Sequence, residues 1–396
     1  MRHKIFILLS VAVLTLGRDA SGEQSASATN FYARWPHGPP SDDNFFPIAV
    51  WLQPPDKAKQ FLAAGFNTYV GLWQGPTEVQ LAALKQAGMK VICAPNQVGL
   101  KHLDDPVIIG WMHDDEPDNA QPSKMGIGYG PPVPPEKIVE GYRKIRVADP
   151  SRPVMLNLGQ GVAWDNWNGR GSRTRHPEDY AEYVKGCDIT SFDIYPVVHL
   201  SPEVAGKLPF VARGVERLVN WAGTNRVVWN CIECTRINSP RARATPYQVR
   251  AEVWMSLIHG SRGLIFFVHE WQPRFNESAL LGDSEMLSEV TAINRQITRL
   301  APVLNRPTLN NAVEVVSENR DVPIATLTKQ TDGAWYVFAV GMGDGKTTAK
   351  FTLKDISGGQ AIEVLDENRT LAAKDDAFTD TFEPWAVHLY RIKNAP

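Results

Sequence analysis

The chain has 396 residues, long enough for one large domain and a smaller one, and its 43 % hydrophobic and 21 % charged content is ordinary for a globular protein. A net charge of −2 and a pI near 6.5 give no electrostatic basis for binding nucleic acid or an anionic membrane. Twelve tryptophans are many, and several stand in polar, glycine-rich segments where a core has no use for them; indoles so placed suit flat, amphipathic ligands such as sugar rings.

The first residues read as an address. A short basic region, Met1 to Lys4, precedes an apolar run from Ile5 to Gly17 and a small-residue cleavage site at Ala26-Ser-Ala28. This pattern predicts a signal peptide over residues 1–28. The apolar run is too short to span a bilayer, and no later stretch is apolar for long enough. The expectation is an exported protein, secreted or periplasmic, with no membrane attachment after cleavage.

Asn30 to Asp43 is rich in Pro and Gly and reads as an irregular lead-in that could close one end of a barrel. Apolar runs then alternate with helical patterns. Strands are predicted at Phe45 to Leu52, Phe66 to Trp73, Lys90 to Pro95 and Val107 to Glu116. Four more follow at Pro153 to Gly159, Cys187 to Pro196, Arg226 to Glu233 and Gly263 to Trp271. Helices are predicted between them, with two long loops, Gln121 to Pro135 and Gln160 to His176, of the kind that form functional lids or walls. Eight strands with crossover helices predict a (β/α)8 TIM barrel over residues 29–306. Beyond Thr308 the pattern changes to period-two alternation broken by turns such as Asp332-Gly333, which predicts a small antiparallel β-sandwich over 307–396.

The fourth strand closes on Asp114, Asp115 and Glu116, pinned by Pro117. Three consecutive carboxylates repel one another unless solvent, a proton or a ligand compensates, so at a strand end they mark a candidate site. A second strand ends in Glu233, and in a barrel the strand ends converge on one face, so Glu116 and Glu233 are expected to meet across one cleft. Hydrolysis of a sugar acetal needs such a pair, one carboxyl protonated and one ionised, and mutual repulsion with partial burial would divide them in that way. Asp193 alternates in phase with Tyr195 and is expected to point inward. Either His269 or Glu270 should face the cleft, and Trp51, Trp73, Trp164 and Trp167 are candidates for stacking on sugars.

Four cysteines fit export. Cys231 and Cys234 have the spacing of a redox or metal pair, but residues three apart on a strand face opposite sides, which leaves buried thiols or a bridge to Cys187.

Asp115-Glu116-Pro117 at the fourth strand, Ser191 to Pro196 at the sixth, Glu233 at the seventh and Trp271 at the eighth together resemble clan A of the glycoside hydrolases, over roughly residues 45 to 305. The resemblance implies a retaining β-glycoside hydrolase acting on a poly- or oligosaccharide, with Glu116 as acid/base and Glu233 as nucleophile. It implies that Tyr195 hydrogen-bonds the nucleophile, that Trp271 floors the sugar subsite, and that no cofactor or metal takes part. The clan has Asn before the acid/base where this chain has Asp115, a change that bears on the sugar more than on the reaction type. Two other classes stay open: a noncatalytic carbohydrate-binding barrel, and a metal-dependent hydrolase using the Asp114-Asp115-Glu116 cluster.

Overall fold

The structure, a computed structural model, describes residues 31–123, 126–331, 333–354 and 360–393; the predicted signal peptide lies outside them. Nine parallel strands form the first sheet: β1 (Ile48–Trp51), β2 (Thr68–Val70), β3 (Lys90–Cys93), β4 (Ile108–Asp115), β5 (Val154–Leu158), β6 (Ile189–Phe192), β7 (Val227–Val228), β8 (Asn230–Glu233) and β9 (Leu264–Phe267). Their order is β7-β6-β5-β4-β3-β2-β1-β9-β8. β7 and β8 are two halves of the predicted seventh strand, so the sheet closes on itself as the expected barrel. The switch occurs at Trp229. Its backbone N–H still donates to Thr190 on β6 at 2.9 Å, whereas the next one, on Asn230, donates to Gly263 at the start of β9 at 3.2 Å.

Helices α1 (Ala58–Ala63), α2 (Glu78–Ala87), α3 (Pro135–Ala148), α4 (Tyr180–Tyr183) and α5 (Pro209–Ala222) lie between the strands, followed by α6 (Pro246–Ile258), α7 (Ala279–Gly282) and α8 (Ser284–Leu304). α2 starts where it should: Thr77 and Gln80 form a reciprocal capping box, and Gly88 takes the left-handed φ of 82° that ends the helix. Period-two alternation sorts the strands into two layers. Ala49, Val70, Ile92, Ile109, Met155, Ile189 and Ile265 fill the lumen, while Ile48, Val50, Val91, Leu156 and Phe266 pack outward toward the helices. The lead-in closes the N-terminal end of the barrel. Tyr32 and Trp35 join the lumen cluster, and the Tyr32 hydroxyl donates to the Arg262 carbonyl while accepting from Trp229 Nε1, both at 2.8 Å.

The C-terminal part is two antiparallel sheets, β10 (Val313–Ser317), β13 (Thr347–Leu353) and β16 (Ala377–Phe382) against β11 (Ile324–Thr331), β12 (Ala334–Gly341), β17 (Val387–Lys393), β14 (Ala361–Val364) and β15 (Arg369–Ala372). β12 is buried on both faces. Val337 and Ala339 face the sandwich interior, and Phe338 and Val340 belong to the barrel's outer core, with Phe338 5.1 Å from the Trp254 ring of α6. α6 is consequently enclosed along most of its length, from Ala251 to Ile258.

All four cysteines are buried free thiols, so the bridge between Cys187 and Cys231 does not form. Cys231 faces the lumen and Cys234 the outer layer, the opposite orientations that alternation requires. Among the described residues no helix is long and apolar enough to cross a membrane.

Because Phe338 joins the sandwich to α6 with no exposed surface, Phe338→Ala should lower unfolding stability by about 3–5 kcal/mol. A urea titration followed by tryptophan fluorescence checks this; an unchanged midpoint would show that the two parts do not stabilise each other.

Candidate active site

At the end of β4 the pairing with β5 slips between Met112 and Asp115. Such an irregularity re-aims the residues that follow it. Glu116 then takes φ of 43°, a left-handed conformation that is costly for any residue with a Cβ and more so before proline, here Pro117. Its N–H donates to the Asn157 carbonyl at 3.0 Å and its own carbonyl accepts from Gln121 Nε2 at 3.3 Å, and these contacts hold the strained turn. The consequence is that Asp115 and Glu116 both reach the same cavity.

That cavity, about 740 Å³, opens at the C-terminal ends of the strands. Its polar lining is Asp115, Glu116, Asn157, Asp193 and Glu277; its walls are Trp51, Trp73, Tyr195, Phe267, His269, Trp271 and Phe275. The aromatic wall is continuous. Phe267 stacks on Trp271 at 5.7 Å between centroids, Tyr195 lies 5.3 Å from Phe267, and Phe275 lies 5.8 Å from Trp271.

Glu116 and Asp193 interact directly. Burial, then the Asp193 charge, holds the Glu116 carboxyl well above the usual carboxylate range. Burial also pushes Asp193 up to about 7, against the lowering influence of the neighbouring Glu116 and Tyr195 side chains. Two carboxyl groups so placed cannot both ionise readily, so near neutral pH they hold one proton between them. Asp193 Oδ1 is buried and has no hydrogen-bond partner in the protein. Beside the pair, Asp115 is raised by the protein packed around it, although its surface is open to solvent. It accepts from Asn157 Nδ2 at 3.0 Å, and Asn157 Oδ1 in turn accepts from Ser191 Oγ at 2.8 Å. His269 is pushed down to about 4 by burial and is a neutral imidazole at neutral pH.

Of the residues singled out from sequence, the structure brings Glu116, Asp115, Asp193, Tyr195, Trp271, His269, Trp73 and Trp51 to this one cavity. Trp164 is not among them. It is almost fully buried, donates Nε1 to Glu203 at 2.8 Å and meets His199 edge-on, a packing role in the wall of the fifth-strand loop. Glu233 is not there either. It has no exposed surface, and its two carboxylate oxygens accept the backbone N–H groups of Val197 and Val198 at 2.6 and 3.1 Å.

The reason lies in the barrel's closure. Above Val228 the seventh strand has left β6 for β9, so the backbone that leaves β6 needs another acceptor for its buried N–H groups. Glu233 supplies it. Behind it, on α6, stands Glu252, also without exposed surface and with neither carboxylate oxygen accepting a hydrogen bond. Burial pushes Glu233 up to about 7, and burial together with the Glu233 charge raises Glu252. This is a second proton-sharing carboxyl pair, sealed in the wall.

Asn157, Phe267, Phe275, Glu277 and Leu52 line the cavity and were not singled out, and Cys231, noted only for its spacing from Cys234, lines it too. Asn157 had a signal, being the one amide in the apolar run Val154 to Leu158. Phe267 and Cys231 follow from strand phase once the strand ends are known. Glu277 and Phe275 lie in a loop with no periodicity to read. The cluster suggested for a metal is not assembled: Asp114 turns outward with its side chain 65 % exposed, next to His113. Among the described residues no three His, Cys, Asp or Glu side chains converge as metal ligands would.

No protein-family model and no curated protein matches the sequence. Solved structures do match the fold. An α-amylase from Anoxybacillus aligns with a TM-score of 0.53 at 12 % identity, over 90 % of this chain and 99 % of its own. An α-amylase from Geobacillus thermoleovorans, complexed with acarbose, aligns with a TM-score of 0.53 at 12 % identity, over 89 % and 99 %. A putative α-galactosidase from Bacteroides fragilis aligns with a TM-score of 0.51 at 14 % identity, over 90 % and 81 %. The barrel with its C-terminal β-sandwich is thus an architecture shared with glycoside hydrolases.

The wall pair makes stability fall as pH rises. A buried carboxyl raised from 4.5 to about 7 holds its proton in the folded state over a range where the unfolded chain has lost it. Glu252→Gln removes one of the two charges and should raise stability at pH 8 by about 1–3 kcal/mol while changing little at pH 4. Thermal melts at the two pH values measure this; equal effects at both would show that the pair is not a source of pH sensitivity.

Proposed function

We propose that this protein is an exported glycoside hydrolase whose reacting carboxyl pair is Glu116 and Asp193. The observation that carries the reading is two directly interacting carboxyl groups on the floor of an aromatic-walled cavity, in an architecture shared with carbohydrate-cleaving enzymes. Glycosidic cleavage passes through an oxocarbenium-like state and needs a protonated acid beside an ionised carboxylate. Glu116 carries the proton that goes to the leaving oxygen. Asp193 is the ionised member: its charge keeps Glu116 protonated and stabilises positive charge developing at the anomeric carbon, and Glu116, once it has given up its proton, takes one back from the water that attacks there. The indole of Trp271 and the ring of Phe275 supply apolar faces for the sugar, and Asp115 with Asn157 supplies polar contacts for its hydroxyls. In this reading Glu233, buried in the wall and accepting from the Val197 and Val198 backbone, takes no part in the chemistry.

A noncatalytic carbohydrate-binding barrel is the second reading, favoured by the absence of a seventh-strand carboxylate from the cavity. Turnover separates the two. Incubation with a panel of α- and β-nitrophenyl glycosides and di- and oligosaccharides should release product, whereas a binder would give affinity without cleavage.

Glu116→Gln should lower kcat/KM by about 10²–10⁴-fold, the range for loss of a general acid. The wild-type profile should be bell-shaped, with the acid limb near pH 7, where Asp193 takes up a proton, and the alkaline limb where Glu116 loses its own. Asp193→Asn removes the charge that raises Glu116, so any residual activity should show its alkaline limb at lower pH. Wild-type rates in Glu116→Gln, or an unmoved alkaline limb in Asp193→Asn, would remove these assignments.

A further inference from the structure

A second cavity, about 590 Å³, meets the first at Asp115 and Glu116, which line both. Its other walls come from the two long loops, after β4 and after β5, and include Asn119, Gln121, Tyr129 and Trp167. We propose that this cavity is the site of the leaving-group sugar, so that the substrate is a saccharide held by at least one ring on each side of Glu116. The inference rests on the glycoside-hydrolase reading and adds to it what the leaving group must be.

Three observations carry it. First, Glu116 stands at the junction of two cavities that share no other lining residue than Asp115. A general acid delivers its proton to the bridging oxygen between two substrate groups, so space on both sides of it is space for both groups.

Second, Trp167 is built as a fixed platform. Its Nε1 donates to Asn119 Oδ1 at 2.8 Å. A Cβ on Gly169 would fall 2.3 Å from the indole, so only glycine lets the ring lie against the chain there. The following backbone is held too, with Ala120 N–H donating to the Gly169 carbonyl at 2.7 Å. An indole that is half-buried and locked in this way lines the cavity as a rigid apolar surface, at little cost in side-chain entropy when a ligand binds.

Third, the loop after β4 folds over as a small hairpin. Gly130 N–H donates to the Gln121 carbonyl at 2.7 Å and Ser123 N–H to the Gly128 carbonyl at 3.0 Å. The hairpin presents Tyr129 with 79 % of its surface exposed at the cavity's edge. An exposed tyrosine at the rim and a fixed tryptophan in the wall, with amide side chains between them, match a pyranose ring, which has apolar faces and a hydroxylated edge.

The test compares substrates that differ only in the leaving group. Gluco-, galacto-, manno- and xylo-configured disaccharides and the corresponding glycosyl fluorides, in both anomeric forms, are assayed with the wild type, Trp167→Ala and Tyr129→Ala. Fluoride fills no subsite. The proposal expects kcat/KM on the cleaved disaccharide to fall at least tenfold in Trp167→Ala and severalfold in Tyr129→Ala, with the fluoride within twofold of wild type. Equal losses on both substrates in Tyr129→Ala, whose side chain supports no core, or no loss on the disaccharide in either variant, would overturn it. A wild type that cleaves neither class of substrate would overturn the glycoside-hydrolase reading itself and this inference with it.

Discussion

The arrangement of the site depends on how the barrel closes. At Trp229 the seventh strand leaves one neighbour and joins the other, pairing with β6 below and with β9 above. Beyond the end of β6 the chain turns at Val197 and Val198, whose backbone donors pair with no strand and need an acceptor. Glu233 takes them, and in doing so it is drawn out of the cavity that its place at a strand end would otherwise give it.

Two pairs of carboxyl groups result, with the same electrostatics and different surroundings. Glu116 and Asp193 share a proton on the floor of a cavity that a ligand can enter. Glu233 and Glu252 share one in the wall, where no ligand can reach. Raised carboxyl groups by themselves therefore do not identify the reacting pair here. Access does, together with the aromatic walls and the unpartnered oxygen of Asp193.

A chain of contacts links distant parts of the molecule to that floor. The five-stranded sheet of the sandwich packs through Phe338 on α6, α6 carries Glu252 against Glu233, and Glu233 holds Val197 and Val198. These two residues follow directly on Tyr195 and Pro196, and Asp193 lies just before. The sandwich thus acts as a buttress for the helix behind the site, a role that also explains why β12 and the stretch of α6 from Ala251 to Ile258 are enclosed.

The barrel was legible because eight buried strands alternate with helices, and burial writes itself into composition and period. The acidic strand end at Asp115 and Glu116 was legible too, as were Asp193 and Tyr195, since strand phase alone sets which of them point inward. Glu233 carried the same local signal as Glu116, an acid closing an apolar strand, and met a different fate. Sequence by itself determined that the chain is a barrel followed by a β-sandwich and that its acidic strand ends are special. Only the tertiary structure decided which acids share a cavity, because that choice is made by backbone groups left unpaired where the seventh strand changes partners, and local pattern records no such long-range debt of hydrogen bonds.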